Sequence, residues 1–288
     1  MKELVVLSGK GGTGKTSLVA AFAALARGKV LCDCDVDAAD LHLILQPTMR
    51  ESHEFRSGQL AVIDEERCTQ CGLCQQLCRF QAIRDFKVDA KSCEGCGFCF
   101  RICPAGAITM QENLAGRWFI SDTRYGPLVH ARLGVAQQNS GKLVALIRQQ
   151  AKQIAEENDL LYIISDGPPG IGCPVISSLS GASLALLVTE PTLSGIHDLE
   201  RVVGVCRHFG VPALVCINKY DINEENTRKI EGWCCEQGLA IVGRIPFDNV
   251  FTESITKGIP VVENCANGVV REIELLWQHV SRFLSQEV

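Results

Sequence analysis

Leu4-Val5-Val6-Leu7-Ser8-Gly9-Lys10-Gly11-Gly12-Thr13-Gly14-Lys15-Thr16-Ser17 is the stretch that decides the fold. A short apolar run of strand type meets a glycine-rich turn, and a helical pattern follows. Gly9 to Thr16 satisfies G-x-x-x-x-G-K-[ST], with a strand before it and a helix after it. Gly9, Gly11, Gly12 and Gly14 let the backbone turn tightly, so its N–H groups converge on phosphate oxygens. The helix that begins near Gly14 adds its positive N-terminal end. Lys15 is placed to reach the β- and γ-phosphates, and the Thr16 hydroxyl to ligate Mg2+. Thr13 and Ser17 belong to the same cradle.

Outward from this loop the chain alternates strand and helix patterns. Residues 3–8 read as a strand and 14–27 as a helix that Gly28 ends; residues 30–34 read as a second strand. This order predicts a parallel sheet with right-handed crossovers. Residues 160–165, 184–190, 212–217 and 239–245 repeat the buried-strand pattern, and 141–157, 195–209 and 268–284 read as helices. The fold class is therefore α/β, doubly wound and mainly parallel. Asp33, Asp35, Asp37 and Asp40 follow the second strand, and Asp166 follows residues 160–165. That carboxyl edge is where α/β folds place ligands, and where a phosphate-loop protein holds Mg2+ through an aspartate. Asp37 reads as a solvated turn residue and Asp40 as the cap of a helix opening at Leu41.

Lys10 narrows the reading. Lys10-Gly11-Gly12-x-Gly14-Lys15-Thr16 resembles the deviant Walker A loop of the MinD/ParA/Mrp and nitrogenase-iron-protein class. The resemblance implies an ATP-dependent homodimer, in which Lys10 reaches across to the partner's nucleotide. Asp33-Cys34-Asp35 resembles that family's switch I. By the same resemblance Asp35 orients or activates the attacking water, and Asp33 helps to hold it or the metal. Asp166-Gly167-Pro168-Pro169-Gly170 resembles switch II, which implies that Asp166 holds Mg2+ through water and that the Gly170 N–H senses the γ-phosphate. Asn218, at a strand end, matches the position that contacts the adenine edge. Pro246-Phe247-Asp248 matches the loop that packs on the adenosine.

Sixteen cysteines are far more than a protein of a reducing compartment ordinarily carries, and such cysteines read as metal or redox ligands. Eight lie in two copies of one run, Cys68-x-x-Cys71-x-x-Cys74-x-x-x-Cys78 and Cys93-x-x-Cys96-x-x-Cys99-x-x-x-Cys103-Pro104. The copies extend further, since Phe80-Gln81-Ala82-Ile83 matches Ala105-Gly106-Ala107-Ile108. Residues 58–112 resemble a bacterial two-cluster ferredoxin, a small α+β domain with two [4Fe–4S] clusters. In that pattern the fourth cysteine of each run serves the other cluster. The implied sets are Cys68, Cys71, Cys74 and Cys103 for one cluster, and Cys93, Cys96, Cys99 and Cys78 for the second. The competing reading is zinc in paired C-x-x-C knuckles. Cys78-Arg79 departs from the family, which usually has proline there; Arg79 brings an N–H and a positive charge to the second cluster. Among the other cysteines, Cys206 and Cys216 read as buried small hydrophobes. Cys32 and Cys34 point to one face, and Cys173 sits just beyond switch II.

The polar, aperiodic residues 48–57 read as a linker. The predicted domains are residues 1–52 with 115–288, carrying the nucleotide, and an inserted module at 58–112. A net charge of −5 argues against a nucleic-acid partner. No run of 18 apolar residues predicts a membrane span, and the first apolar run is too short for a signal peptide, so a cytoplasmic location is expected. The segment 270–288 sets Ile273, Leu276, Trp277, Val280 and Leu284 against Glu272, Glu274, Glu287, Arg271 and Arg282. It is too poor in cations for a membrane-surface helix, and packing on the sheet is expected.

Three functions are consistent with this reading. The first is an ATP-hydrolysing homodimer that gates electron delivery, or cofactor assembly, on an unidentified protein partner. The alternative is a spatial-positioning ATPase of the MinD type with structural clusters. The third is a ferredoxin with a degenerate nucleotide site, which the intact Lys15, Thr16, Asp35 and Asp166 oppose.

Overall fold

The computed structural model describes residues 1–134, 139–265 and 268–286. In chain order the elements begin β1 (Lys2–Ser8), α1 (Lys15–Leu25), β2 (Lys29–Asp33), α2 (Leu41–Leu45) and β3 (Thr48–Ile63). There follow α3 (Leu73–Gln76), β4 (Ile83–Arg84), β5 (Lys87–Val88), α4 (Phe98–Ile102), β6 (Ile108–Thr123) and β7 (Gly126–Leu133). Next come α5 (Ser140–Glu157), β8 (Tyr162–Pro169), α6 (Cys173–Leu179), β9 (Leu184–Thr189) and α7 (Leu193–His208). The chain closes with β10 (Ala213–Asn218), α8 (Glu224–Glu236), β11 (Ala240–Ile245), α9 (Val250–Lys257), α10 (Val261–Asn264) and α11 (Gly268–Ser285). Two compact units share these elements: unit 1 is Met1–Ser52, Phe119–Ala131 and Gly141–Val288, and unit 2 is His53–Trp118 and Arg132–Ser140.

Unit 1 is a doubly wound sheet. The strand order is β11-β10-β9-β1-β8-β2-β7-β6-β3, with residues 48–52, 119–123 and 126–131 of the last three strands inside this unit. β1 pairs in parallel with β8 on one side and β9 on the other; β2–β8, β2–β7, β9–β10 and β10–β11 are parallel too. Alternation along β1 feeds two cores. Leu4 and Val6 join Phe22 of α1 and Ile273, Leu276 and Val280 of α11 on one face. Val5 and Leu7 join Leu199 and Val202 of α7 and Ile230 of α8 on the other. Helices on both faces explain why these strands read as continuous apolar runs. The apolar face of α11 is consumed by the first core, as the poverty of cations suggested. Among the described residues no helix is long and apolar enough to cross a membrane.

The linker reading of residues 48–57 is corrected: they belong to the strand β3. β3 is the last strand in the sheet order and most of its residues are exposed, so it has no buried face to impose a period on the sequence. Glu287 lies outside the described residues. Asp40 holds the cap position of α2 without a side-chain bond; the Leu41 N–H donates instead to Asp33 Oδ2, at 3.2 Å.

Unit 2 repeats one local conformation. α3 and α4 each start after a left-handed glycine, Gly72 at φ 78° and Gly97 at φ 71°. The Ala82 N–H donates to Cys78 Sγ at 3.4 Å, and the Ala107 N–H to Cys103 Sγ at 3.3 Å. Ile83 and Ile108, equivalent in the two copies, meet Ala61 and Cys74 in one buried cluster. β4 and β5 form an antiparallel pair that puts Ile83 opposite Val88.

Candidate functional site

The carboxyl ends of β1, β2, β8, β9 and β10 converge on the loop between β1 and α1. Gly12 and Gly14 lie in the left-handed region, at φ 79° and 93°, which explains glycine at both. A Cβ on Gly14 would stand 2.4 Å from Asn218 Nδ2, so the loop closes directly on that side chain. Lys15 is buried, at 6% exposure, behind the loop whose Gly11 and Gly12 are exposed. Thr16 hydrogen-bonds Asp166, and Ser17 lines a tight crevice with Ala20 and Phe251 behind the loop.

Asp33 and Asp166 are register neighbours across β2 and β8, and both are buried. Burial pushes the Asp166 carboxyl up to about 6, against the pull of Lys15 and the Thr16 hydroxyl. Burial, and then the nearby Asp166, raise Asp33 well above the usual carboxylate range. Burial likewise raises Asp35, which Lys15 partly offsets. Asp166 Oδ1 and Thr13 Oγ1 are buried without a hydrogen-bond partner. A buried, unsatisfied carboxylate oxygen beside a lysine and a hydroxyl fits a hard cation shared with phosphates. Mg2+ uses one or two carboxylates and takes its remaining ligands from water and substrate. Among the described residues no group of three or more His, Cys, Asp or Glu is placed to hold a metal ion by itself.

Three of the sequence-derived positions are engaged in ways that spacing did not show. The Gly170 N–H donates to the Ser8 carbonyl at 2.9 Å, so it is free for a phosphate after that bond opens. Asn218 Nδ2 donates to the Thr13 carbonyl at 2.8 Å, and its Oδ1 accepts from the Lys219 N–H at 3.1 Å. Lys10 Nζ contacts Glu190 Oε1 at 2.5 Å, Thr192 Oγ1 at 3.1 Å and Ser194 Oγ at 3.2 Å. Burial alone raises Glu190, but the hydrogen bonds from Lys10 and Lys219 outweigh it and hold the carboxyl below its usual range. Glu190, Thr192, Ser194 and Lys219 are the site residues that sequence reasoning missed. Their one signal was place: each follows a strand on the loop's edge of the sheet. Pro246 and Asp248 line a cavity of about 470 Å³ with Tyr220, Arg244 and Glu272, beside the carboxyl ends of β10 and β11.

The eight spaced cysteines fall around two hollows in unit 2. One, of about 290 Å³, is lined by Cys78, Cys93, Cys96 and Cys99, and Cys74 also reaches it. The other, a tight space of about 20 Å³, is lined by Cys68, Cys71, Cys74 and Cys103. Each hollow thus draws its fourth cysteine from the other copy of the repeat. Outside unit 2, Cys32 and Cys34 are buried with their sulfurs 3.6 Å apart, on one face as alternation predicts; Cys173 is exposed at the start of α6.

A family model for the CobQ/CobB/MinD/ParA nucleotide binding domain matches residues 4–261. An uncharacterized protein of Methanocaldococcus jannaschii is 32% identical over 286 residues, covering 98% of this chain and 97% of that one. The septum site-determining protein MinD of Bacillus subtilis is 23% identical over 277 residues, covering 92% and 84%. The solved structure of the septum site-determining protein MinD complexed with Mg-ADP, from Pyrococcus horikoshii OT3, superposes with a TM-score of 0.60. It is 18% identical and covers 99% of this chain and 97% of its own, a likeness of fold.

Proposed function

This chain belongs to the CobQ/CobB/MinD/ParA nucleotide-binding family, and on that premise we propose that its ATPase cycle switches a two-cluster iron–sulfur module carried in the same chain. That the protein is a nucleotide-binding ATPase of the MinD/ParA type follows from the family. The finer assignments are ours. The loop Gly9–Thr16 holds the phosphates, Lys15 reaches the β- and γ-phosphates, and Asp166 and Thr16 take Mg2+. Asp35 orients the attacking water with Asp33 behind it, and the cavity at Pro246 and Asp248 accepts the adenosine beside Asn218.

The observation that carries the iron–sulfur part is the exchange of fourth cysteines. Cys103 lines the hollow of Cys68, Cys71 and Cys74, while Cys78 lines that of Cys93, Cys96 and Cys99. This is the ligand crossing of two-cluster ferredoxins. When bound, two [4Fe–4S] clusters supply one-electron chemistry; the chain supplies thiolates, N–H donors to Cys78 and Cys103, and a compact apolar surround. The homodimer rests on Lys10 and on apolar side chains left exposed after β9, β10 and β11: Leu193 at 74%, Ile222 at 58% and Phe247 at 54%. In the dimer Lys10 exchanges Glu190 for the partner's nucleotide. The readout is electron delivery to, or cofactor assembly on, another protein, in the cytoplasm and without nucleic acid. Anaerobic purification with iron and sulfide counting, then EPR of the reduced protein with and without ATP, tests this. About eight irons, with spectra that respond to ATP, support it; zinc in place of iron overturns it.

The relatives favour a second reading. Two of those named above are septum site-determining proteins, which points to a spatial-positioning ATPase in which the cysteine module is structural. Against membrane attachment through the last helix stands the burial of Ile273, Leu276 and Val280 in the core. Liposome sedimentation that depends on ATP, with cluster spectra indifferent to it, establishes this second reading in place of the first.

A further inference from the structure

The two ends of unit 2 differ in a way that its internal repeat does not require. The hollow at Cys78, Cys93, Cys96 and Cys99 is walled by Leu77, Phe80 and Phe98, which are 48, 42 and 49% exposed. Three large apolar side chains left in water around one opening mark an interaction surface. Arg79 stands in the same wall, and Arg101 lies on α4, one turn from Phe98. Glu94 lines the hollow as well, and it is already engaged within the chain. The surface beside Cys68 mixes both signs, with Arg67 and Arg84 exposed among its carboxylates. Glu65 and Asp85 line a cleft there with Lys87, and the adjoining Asp64 and Glu66 are exposed.

We propose that the opening at Leu77, Phe80 and Phe98 is the docking surface for a small acidic one-electron carrier protein. This rests on the iron–sulfur reading above, because it makes Cys78, Cys93, Cys96 and Cys99 the thiols nearest the docked partner. The apolar collar supplies the contact that excludes water, as in the core of a transient interface. Arg79 and Arg101 attract a negative partner, while the surface beside Cys68, where Asp64, Glu65, Glu66 and Asp85 stand among Arg67, Arg84 and Lys87, offers it no net attraction. The chain as a whole carries a net charge of −5 and would repel such a carrier, so local complementarity has to choose the face. In the exchange one electron leaves one protein and enters the other, with no bond made or broken. If the carrier holds a flavin, the proton of its semiquinone comes from water.

The test uses the full chain, purified anaerobically with its iron counted, and two oxidised probes: an acidic flavodoxin and a basic cytochrome c. Binding is measured calorimetrically at about 20 mM and about 500 mM salt. Flavodoxin should bind more tightly than cytochrome c and lose roughly tenfold at the higher salt. R79E combined with R101E, and separately F98D, should each weaken flavodoxin roughly tenfold. E65Q should leave it unchanged. Iron content equal to the parent's shows that a variant has folded; R79Q, a milder change, is the second variant if R79E loses iron. Tighter binding of cytochrome c, as the net charge alone predicts, or indifference of flavodoxin to all these variants, overturns the proposal. A protein without iron fails the underlying reading instead, and the iron count reports that before any binding is measured.

Discussion

The two units solve the same problem, holding a polar group away from bulk water, with opposite resources. Unit 1 carries its loop on a sheet buried on both faces, whose strands β9 and β10 are apolar almost throughout and whose β1 is apolar from Leu4 to Leu7. The central cluster of unit 2 has four buried hydrophobic residues, Ala61, Cys74, Ile83 and Ile108, and one of them is a thiol. Segments this short do not bury enough surface to fold on a core alone, and nature adds disulfides or metal. The cysteines follow the same division. Outside unit 2, Cys32, Cys34, Cys206, Cys216 and Cys234 are buried and serve as core; inside it, just one of the eight spaced cysteines is buried and the rest face hollows or solvent. The difference teaches that unit 1 should fold without its ligand and unit 2 should not.

On the two-cluster reading proposed above, removing iron breaks that comparison most directly. Chelation after oxidation should make residues 53–118 sensitive to limited proteolysis while the nucleotide unit stays resistant, because metal-binding energy is folding energy in such a module. A module that stays intact without iron would deny the contrast. Next in size is Lys15→Ala. Loss of the buried ammonium at the phosphates should lower the rate of phosphate release by about a hundredfold or more, with iron content unchanged. Equal loss of iron would mean that the two units do not stand apart.

How much of this was legible follows from the range of the interactions. The loop and the cysteine repeat were readable because each is written within a few residues, in glycines that permit a backbone path and thiols at fixed intervals. The placing of Cys32 and Cys34 on one face needed nothing beyond strand alternation. Glu190 was not readable as the partner of Lys10, since the contact joins residues 180 apart and depends on β9 lying next to β1. Asn218 was read for adenine and is bonded to the Thr13 carbonyl, again across the sheet. Residues 48–57 hid a strand because an exposed edge strand leaves no apolar period.

Smaller effects sharpen the account of unit 1. Glu190→Gln removes the charge that holds Lys10 within its own chain. The pair is partly exposed, so its release is a matter of about 1 kcal/mol, or roughly a fivefold rise in the ATP-dependent dimer fraction by sedimentation. A fall would mean that Glu190 supports the dimer instead. Asp166 sets a pH limit. Its carboxyl, raised to about 6, takes up a proton that Mg2+ has to displace, so Mg·ATP affinity should fall roughly tenfold per pH unit below about 6. In the absence of Mg·ATP the sign reverses. The folded chain binds that proton more tightly than the unfolded chain, so this group's contribution to stability rises as pH falls from about 6 toward its ordinary value. Thermal melts with and without Mg·ATP should therefore slope in opposite directions across that window, and parallel slopes would remove Asp166 from the metal site.

The smallest effect leaves structure and activity untouched and reads the division of cysteines itself. Burial pushes the thiols of Cys206 and Cys216 up to about 12 and that of Cys234 to about 11. At pH 8 a thiol of pKa 12 is thiolate in roughly one molecule in ten thousand, and the thiolate is the nucleophile. Iodoacetamide on the native, iron-loaded protein should therefore modify the exposed Cys173 and Cys235 and spare these three, as peptide mass spectrometry will show. On the two-cluster reading the eight cysteines of unit 2 should be spared as well, for a different reason, since metal-bound sulfur is not available for attack. The two kinds of protection separate when iron is removed: the eight become reactive at once, and Cys206, Cys216 and Cys234 stay silent until unit 1 is denatured. Labelling of the exposed Cys71 or Cys96 in the native protein, as purified anaerobically, would show that the spaced thiols hold no metal.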